Sequence, residues 1–179
     1  DNNLIIGTAG ADFIFGDPYT TGNLFGVPAI GGPLATGRGG NDLLLGLGGD
    51  DWLFGDAWDI SGEGRGGNDW LIGFGGNDQL LGDAYIMSGS ARGGNDWLAG
   101  GFGDAQFVFN STPNRRTNVD KITDFAAGDL IYLDNAFIKN IGREDRALRD
   151  AFFHLGKQAE DAFNRIIYDK ASGSLYYDR

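Results

Sequence analysis

The sequence lacks cysteine, and it lacks apolar runs of membrane length. Cysteine is absent from all 179 residues, which excludes disulfides and thiolate metal sites. No apolar run approaches the roughly 18 residues that a transmembrane helix needs, and the N-terminus has no apolar stretch typical of a signal peptide. We therefore predict no membrane span. Because the chain opens at Asp1 rather than at a methionine, we expect a fragment or a processed product.

Positive charge is scarce in the first part of the chain. Residues 1–105 hold 14 acidic side chains, 3 arginines and no lysine, a balance of −11, whereas residues 106–179 hold 11 side chains of each sign. The first part therefore carries the whole formal net charge of −11. Nucleic acid is a poor partner for so acidic a segment. Divalent cations are a suitable partner.

Glycine is present in excess and follows a repeat. The 32 glycines have no period of three, which excludes a collagen-like chain. Two blocks of 27 residues, beginning at Gly37 and Gly64, are nearly superimposable, and a third begins at Ala91. Within each block a nine-residue unit recurs, of the form G-G-x-G-x-D-x-U-x, where U is a large aliphatic residue.

This repeat predicts short strands stacked as the coils of a solenoid. Strands of about three residues cannot persist alone, so they have to stack on their neighbours. One coil then contains a strand, a short turn, a second strand and a long loop. The predicted strands are 13–15, 43–45, 52–54, 70–72, 79–81, 97–99 and 106–108.

The turns fall on two opposite edges of the predicted solenoid. Turns 7–12, 46–51, 73–78 and 100–105 stack on edge 1, and turns 37–42, 64–69 and 91–96 stack on edge 2. Segments 16–36, 55–63 and 82–90 are predicted to be long loops that precede the edge 2 turns. In an alternative phasing, 55–63 and 82–90 are degenerate strand-and-turn units. Their core positions would then be Gly62 and Gly89, which bury nothing.

The turns have the composition of calcium sites. Glycine lets a turn reverse within six residues and aim its carbonyls at one point, and the closing aspartate adds a carboxylate. Calcium takes six to eight oxygens at roughly 2.3–2.6 Å, more than one turn supplies. We therefore predict sites between stacked turns, four complete and a weaker fifth where Ala105 replaces the aspartate, for about four or five Ca²⁺. The predicted ligands are the turn aspartates Asp12, Asp42, Asp51, Asp69, Asp78 and Asp96, the loop aspartates Asp17, Asp56 and Asp83, and the glycines Gly10, Gly37, Gly39, Gly46, Gly48, Gly64, Gly66, Gly73, Gly75 and Gly93.

Catalytic motifs are not found. The sole histidine, His154, has no nucleophile motif near it, and neither HExxH nor GxSxG occurs. The Asp50/Asp51 pair is unsuited to a glycosidase role, because the side chains of adjacent strand residues point apart. The Gly-Asp turns would be ordinary β-turns of a sandwich if they were single, but six phased copies argue against that. We expect no enzyme in this chain.

After residue 108 the composition changes. Only 4 glycines follow residue 105, and lysine appears. Residues 119–134 alternate like strands around a turn at 127–129, residues 143–153 suit an amphipathic helix, and 165–169 with 174–178 read as a hairpin. We predict two domains: a roll over 1–108 and a small α+β capping subdomain over 109–179.

The nonapeptide resembles the calcium-binding repeat of the RTX (repeats-in-toxin, hemolysin-type) family. Over residues 3–134 the chain resembles an RTX roll, and 152–178, with RIIYD and SLYYD, is similar to the C-terminal region of type I secreted proteins. The resemblance implies an all-β, parallel β-roll in a bacterial protein that is secreted or displayed on the cell surface. It implies a module for folding, export and assembly that folds on meeting extracellular Ca²⁺. The alternatives are a structural or adhesive surface protein, or the C-terminal module of a larger RTX enzyme or toxin.

The outer faces of the predicted roll are apolar. Strict alternation points Leu43, Trp70 and Trp97 outward in one row, and Phe13 and Trp52 outward on the opposite sheet. Such patches usually mark contacts. The long loops and the cap could cover one face, so we predict a partner protein or a second copy on the face of Trp70 and Trp97.

Overall fold

The structure of the protein is a computed structural model. It describes residues 2–17, 23–24, 27–28, 37–114, 116–139, 141, 152–161, 166–169, 171–172 and 174–177. These residues form strands and turns, with no α-helix among them.

Two parallel five-stranded sheets face each other and form the roll. Sheet 1 contains, in spatial order, β1 (Leu4–Ile6), β5 (Leu43–Gly48), β8 (Trp70–Gly75), β11 (Trp97–Ala99) and β13 (Lys121–Ile122). Sheet 2 contains β2 (Phe13–Phe15), β6 (Trp52–Phe54), β9 (Gln79–Leu81), β12 (Gln106–Phe109) and β14 (Leu130–Leu133). The chain passes from one sheet to the other at every turn, so the predicted all-β parallel β-roll is confirmed.

The strands are in register at the period seen in the sequence. Leu44 pairs with Leu71, and Leu71 pairs with Leu98, which places one aliphatic residue of each strand at the same height in the core. These U residues are almost completely buried and form one cluster between the sheets: Ile14, Leu44, Leu53, Leu71, Leu80, Leu98 and Phe107. Since each strand contributes a single large side chain, the core is thin for the length of backbone that it orders.

Neighbouring coils touch backbone to backbone at the edge 2 turns. A Cβ atom placed on Gly67 would lie 1.4 Å from the carbonyl oxygen of Gly40, and one on Gly94 would lie 1.4 Å from that of Gly67. No side chain fits in such a space. Glycine is therefore required at this position by the stacking distance itself, independently of its dihedral angles.

We expect Gly67→Ala to disrupt stacking, and Gly10→Ala to be tolerated. A Cβ on Gly10 has only the Thr8 hydroxyl near it, at 3.9 Å. Because the Gly67 clash is with rigid backbone, the loss of stability should be at the upper end of overpacking effects, about 3 kcal/mol or more. Thermal unfolding of both variants at saturating calcium checks this, and equal midpoints would contradict it.

The two spacers 55–63 and 82–90 contain structure that the sequence did not reveal. β7 (Asp59–Ile60) and β10 (Ile86–Met87) pair in parallel and form a third, two-stranded stack. Ile60 and Met87 are buried there together with Ala84, and Phe137 packs against them. The spacers therefore contain short buried strands and are not plain loops. Their buried residues, Ile60 and Met87, lie two positions before Gly62 and Gly89, which the alternative phasing placed in the core. In segment 16–36 the structure describes a short antiparallel pair, β3 (Asn23–Leu24) and β4 (Val27–Pro28).

The outer faces of the two sheets differ in exposure. On sheet 2, Phe15 and Phe54 are buried beneath Trp58 of the first spacer, with ring centroids 6.1 and 6.3 Å away. On sheet 1, Trp70 and Trp97 keep 52% and 41% of their surface exposed. The first spacer therefore covers Phe15 and Phe54 on sheet 2, whereas Leu130 and Tyr132 of that sheet and the tryptophan pair of sheet 1 stay partly exposed.

The stacking continues beyond residue 108. β13 pairs with β11, and β14 pairs with β12, so each sheet gains one strand. The predicted boundary between two domains after residue 108 stays a prediction. Further on, β15 (Phe153–Leu155) pairs in parallel with β16 (Ile166–Asp169), which pairs antiparallel with β17 (Ser174–Tyr177), in agreement with the predicted hairpin. Of the predicted helix at 143–153, residues 143–151 lie outside the described residues, and Phe153 begins β15.

Candidate metal sites on the two edges of the roll

A ladder of aspartates runs along each edge. In four of the turns the backbone N–H of the aspartate donates to Oδ1 of the aspartate in the next coil. The distances are 2.7 Å for Asp42 to Asp69, 2.8 Å for Asp69 to Asp96, 2.8 Å for Asp12 to Asp51 and 2.9 Å for Asp51 to Asp78. The structure thus brings together the aspartates that the sequence paired. In each of these pairs, one oxygen of the accepting carboxylate is already used by a backbone hydrogen bond.

The second carboxylate oxygen has no partner in five of these residues. These side chains are at most 2% exposed, and among the described residues no donor reaches their Oδ2 atoms: Asp42, Asp51, Asp69, Asp78 and Asp96. Burying an ionised carboxylate oxygen without a partner is costly. The same orphan atom in five turns indicates that a cation belongs beside it.

On edge 1, each orphan oxygen faces a carbonyl of the next coil. A Cβ on Gly46 would lie 2.4 Å from Oδ2 of Asp51 and 2.9 Å from the carbonyl oxygen of Gly73. A Cβ on Gly73 would lie 2.1 Å from Oδ2 of Asp78 and 2.6 Å from the carbonyl oxygen of Gly100. We call such a space, bordered by oxygens and kept open because glycine has no Cβ, an oxygen cradle.

Edge 2 has equivalent cradles beside Gly55 and Gly16. These glycines start the spacer 55–63 and segment 16–36, which is counted as a spacer from here on. A Cβ on Gly55 would lie 2.0 Å from the carbonyl oxygen of Gly82 and 2.5 Å from Oδ2 of Asp69. A Cβ on Gly16 would lie 1.8 Å from the carbonyl oxygen of Gly55 and 2.5 Å from Oδ2 of Asp42. The sequence did not predict a role for these glycines, because they lie outside the nonapeptide turns.

The predicted loop aspartates also lie against edge 2. Each accepts a hydrogen bond from a turn backbone N–H: Gly40 to Asp17 at 2.9 Å, Gly67 to Asp56 at 2.9 Å and Gly94 to Asp83 at 2.8 Å. Oδ2 of Asp56 is buried and receives no hydrogen bond from a described residue. Each edge 2 turn therefore contacts a carboxylate from the spacer that precedes it.

Burial raises the pKa of these carboxyl groups. Burial is the largest cause for Asp42 and Asp51, whose pKa it raises to about 6. It raises the pKa of Asp69 to about 10, with the charge of Asp56 as the next cause. The pKa values of Asp56 and Asp96 are raised well above the ordinary value, first by burial and then by the Asp83 carboxylate. Without a cation, these sites therefore favour neutral carboxyl groups.

The donor set fits a hard divalent cation. Carboxylates and backbone carbonyls are the oxygen ligands that calcium takes in irregular geometry. In the described part of the chain, no three His, Cys, Asp or Glu side chains converge as a metal site by themselves. Backbone carbonyls would therefore have to supply a large share of the ligands, as the cradles allow.

The predicted turn glycines differ in their surroundings. Gly39, Gly46, Gly66, Gly73 and Gly93 all stand within reach of aspartate oxygens. The carbonyls of Gly37 and Gly64 already accept the N–H groups of Arg65 and Arg92 at 3.0 and 3.1 Å. Gly48 and Gly75 have no oxygen closer than 3.8 Å to an added Cβ, and Gly10 is exposed.

Two of the nonapeptide turns on edge 1 lack an orphan carboxylate oxygen. At the first turn, Oδ2 of Asp12 accepts hydrogen bonds from the backbone N–H of Thr8 at 2.6 Å and from its hydroxyl at 3.0 Å. At the last turn, Ala105 is buried, and a Cβ on Gly100 would lie 2.4 Å from the Cβ of Ala105. A methyl group stands there in place of a carboxylate.

Three further aspartates continue the ladders, and the nonapeptide pattern did not predict them. Asp96 donates to Asp120 Oδ1 at 3.0 Å, Ala105 donates to Asp129 Oδ1 at 2.9 Å, and both oxygens of Asp124 accept backbone N–H groups. Burial raises the pKa of Asp120 to about 7. Their spacing from the preceding coil is 24 residues instead of 27, and only Asp129 has a neighbouring glycine, Gly128. The alternating strands that follow them were the remaining sign of their role. Asp96 is therefore not the end of its ladder.

Comparison with known families agrees with this geometry. A scan against protein-family models matches the RTX calcium-binding nonapeptide repeat in four copies, at residues 1–18, 35–57, 62–84 and 90–105. Searches of curated proteins and of solved structures gave no match. In the described ranges, no helix is long and apolar enough to cross a membrane.

Proposed function

Because this chain is an RTX β-roll protein with calcium-binding repeats, we propose that it serves as a module for folding, export and assembly that folds on binding extracellular Ca²⁺. The observation that supports this most is the set of five buried Oδ2 atoms to which no described residue donates. These ionised carboxylates can be buried only beside a cation. Folding, which buries them, therefore depends on that cation.

Calcium would be held by the turns of neighbouring coils together. Turn aspartates and the carbonyls that border the cradles would coordinate it, and its charge would offset that of the acidic half. Since the core contains only one large side chain for each strand, ligand binding to the folded state supplies stability that packing does not. In a calcium-poor compartment the carboxylates repel one another and the chain stays unfolded.

This coupling suits a protein that leaves the cell unfolded and folds outside. We propose a secreted or cell-surface bacterial protein that uses type I secretion, with no catalytic site in this chain. The balance of −11 over residues 1–105 favours extended, self-repelling chain before calcium is met.

Titration calorimetry with Ca²⁺ tests the proposal, with Mg²⁺ as the control. Mg²⁺ demands near-octahedral geometry and keeps its waters, so irregular sites rich in carbonyls should prefer Ca²⁺. We expect several Ca²⁺ ions to bind and little heat from Mg²⁺. Absence of calcium binding, or equal binding of both ions, would contradict the proposal.

Assembly through the outer face of sheet 1 is the part of the proposal with its own structural basis. Trp70 and Trp97 stack with ring centroids 5.1 Å apart and planes 8° from parallel, and the Lys121 ammonium lies 4.2 Å from the Trp97 ring centroid. Leu4 and Ile6 on the same sheet are 62% and 57% exposed. Apolar surface of this kind usually marks a contact with a partner or a second copy.

We expect the double variant Trp70→Glu, Trp97→Glu to remove self-association while calcium stoichiometry stays constant. Sedimentation velocity at increasing protein concentration gives the measurement. Phe102→Glu is a matched control, because Phe102 is 89% exposed but lies in an edge 1 turn. A wild-type chain that is monomeric at all concentrations and captures no partner would refute assembly through this face.

A further inference from the structure

The two edges of the roll differ in the number of carboxylates beside each cradle. On edge 1, the cradle at Gly46 is bordered by one carboxylate oxygen, from Asp51, and by a backbone carbonyl. On edge 2, each turn has its own aspartate and also the loop aspartate of the preceding spacer. This difference arises because only the edge 2 turns are preceded by spacers that begin Gly-Asp.

The middle turn of edge 2 shows the arrangement most completely. Asp56 and Asp69 are both 0% exposed, and both have an Oδ2 atom to which no described residue donates. Oδ2 of Asp56 lies 2.2 Å from the position of a Cβ on Gly66, which directs it into the space that this glycine keeps open. Two carboxylates that each have an orphan oxygen therefore lie at the turn 64–69.

The two side chains are tied to the same backbone. Gly67, in the turn that Asp69 closes, donates to Oδ1 of Asp56. Oδ2 of Asp69 lies beside Gly55, the residue before Asp56. Because both carboxylates contact this turn and are shielded from water, one divalent cation beside them would compensate both charges.

We propose that Asp56 is a second carboxylate ligand of the ion that Asp69 binds, and that edge 2 therefore forms a tighter class of divalent-cation site, which fills before edge 1. This inference rests on the proposed calcium-binding function and adds to it a division into two classes. It follows from ligand charge, since the affinity of an oxygen site for Ca²⁺ rises with the number of carboxylates.

Calcium titration calorimetry on the full chain tests the proposal with three single variants. Asp56→Asn removes one edge 2 charge at nearly constant size. Asp51→Asn removes the edge 1 carboxylate. Glu63→Gln is the matched charge control, because Glu63 is exposed and lies in the same spacer as Asp56.

We expect the wild type to show two classes of site. Asp56→Asn should weaken the tight class by about tenfold or more and leave the weak class in place. Asp51→Asn should affect the weak class, and Glu63→Gln should affect neither. An unchanged tight class in Asp56→Asn, or a tight class weakened by Asp51→Asn, would overturn the proposal.

Other outcomes are also decisive. If Asp56→Asn does not fold, Asp17→Asn takes its place, because Asp17 makes the corresponding contact with Gly40 in the first coil; an unchanged tight class there overturns the proposal. If the wild type binds calcium in a single class, this inference fails and the calcium-binding function stands. If the wild type binds no calcium, the proposed function itself fails.

Discussion

Removing calcium with EGTA at about pH 7.5 and low ionic strength is expected to unfold the roll. At this pH the buried turn carboxylates are ionised in the unfolded chain, and refolding would bury them without partners. The thin core cannot offset that cost, so most of the β-structure seen by circular dichroism should disappear and return when calcium is added. Excess Mg²⁺ is the control and should not restore it. A spectrum that EGTA leaves unchanged would contradict calcium-dependent folding.

The metal-free chain should regain some structure as the pH falls. The pKa of Asp42 and Asp51 is about 6 in the metal-free fold, above the ordinary value of 3.8, so the folded state binds more protons than the unfolded state between these values. Stability from this source is present below about pH 4 and is lost as the pH rises through about 6. The calcium-loaded roll should respond in the opposite direction, because calcium needs ionised ligands. Circular dichroism of the chain stripped of calcium and dialysed into metal-free buffer at about pH 5 and about pH 7.5 checks the sign.

Asp69→Ala is expected to remove about two calcium ions, because its carboxylate is shared by the sites on both sides of it. Asp69 lies in the middle of its ladder, where Oδ1 accepts from Asp42 and its own N–H donates to Asp96. The variant also leaves the buried N–H of Asp42 without an acceptor, which costs about 1–3 kcal/mol. Calcium stoichiometry and thermal midpoint are the two measurements.

A suitable comparison is Asp12→Ala, at the end of the edge 1 ladder. Oδ2 of Asp12 already accepts two hydrogen bonds from Thr8, so at most one ion should be lost. Asp96, which the sequence suggested as the terminal residue, does not serve as this comparison because Asp120 follows it. Equal losses for Asp69→Ala and Asp12→Ala would mean that the turns do not share ions between coils.

Local patterns in the sequence are sufficient for the part of the molecule that repeats. Solenoid coils repeat, so the 27-residue period places Leu44 beside Leu71 and Asp42 beside Asp69 as soon as the phase of the coil is known. Two features gave the phase: an aliphatic residue at each U position, and an aspartate before each strand. Both are local patterns, and the fold class and the buried residues of the core follow from them.

The sequence by itself determined the coil, its core positions and the ladders of turn aspartates, because each coil has the same neighbours as the last. Tertiary structure alone decided the features that break the repeat. Asp120 and Asp129 enter the ladders at a spacing of 24, which no period of 27 reveals. The reach of Asp56 to Gly67, and the burial of Phe54 under Trp58, depend on how each spacer folds back onto the roll. Such contacts join a segment without a repeat to a surface that forms only when the coils have stacked.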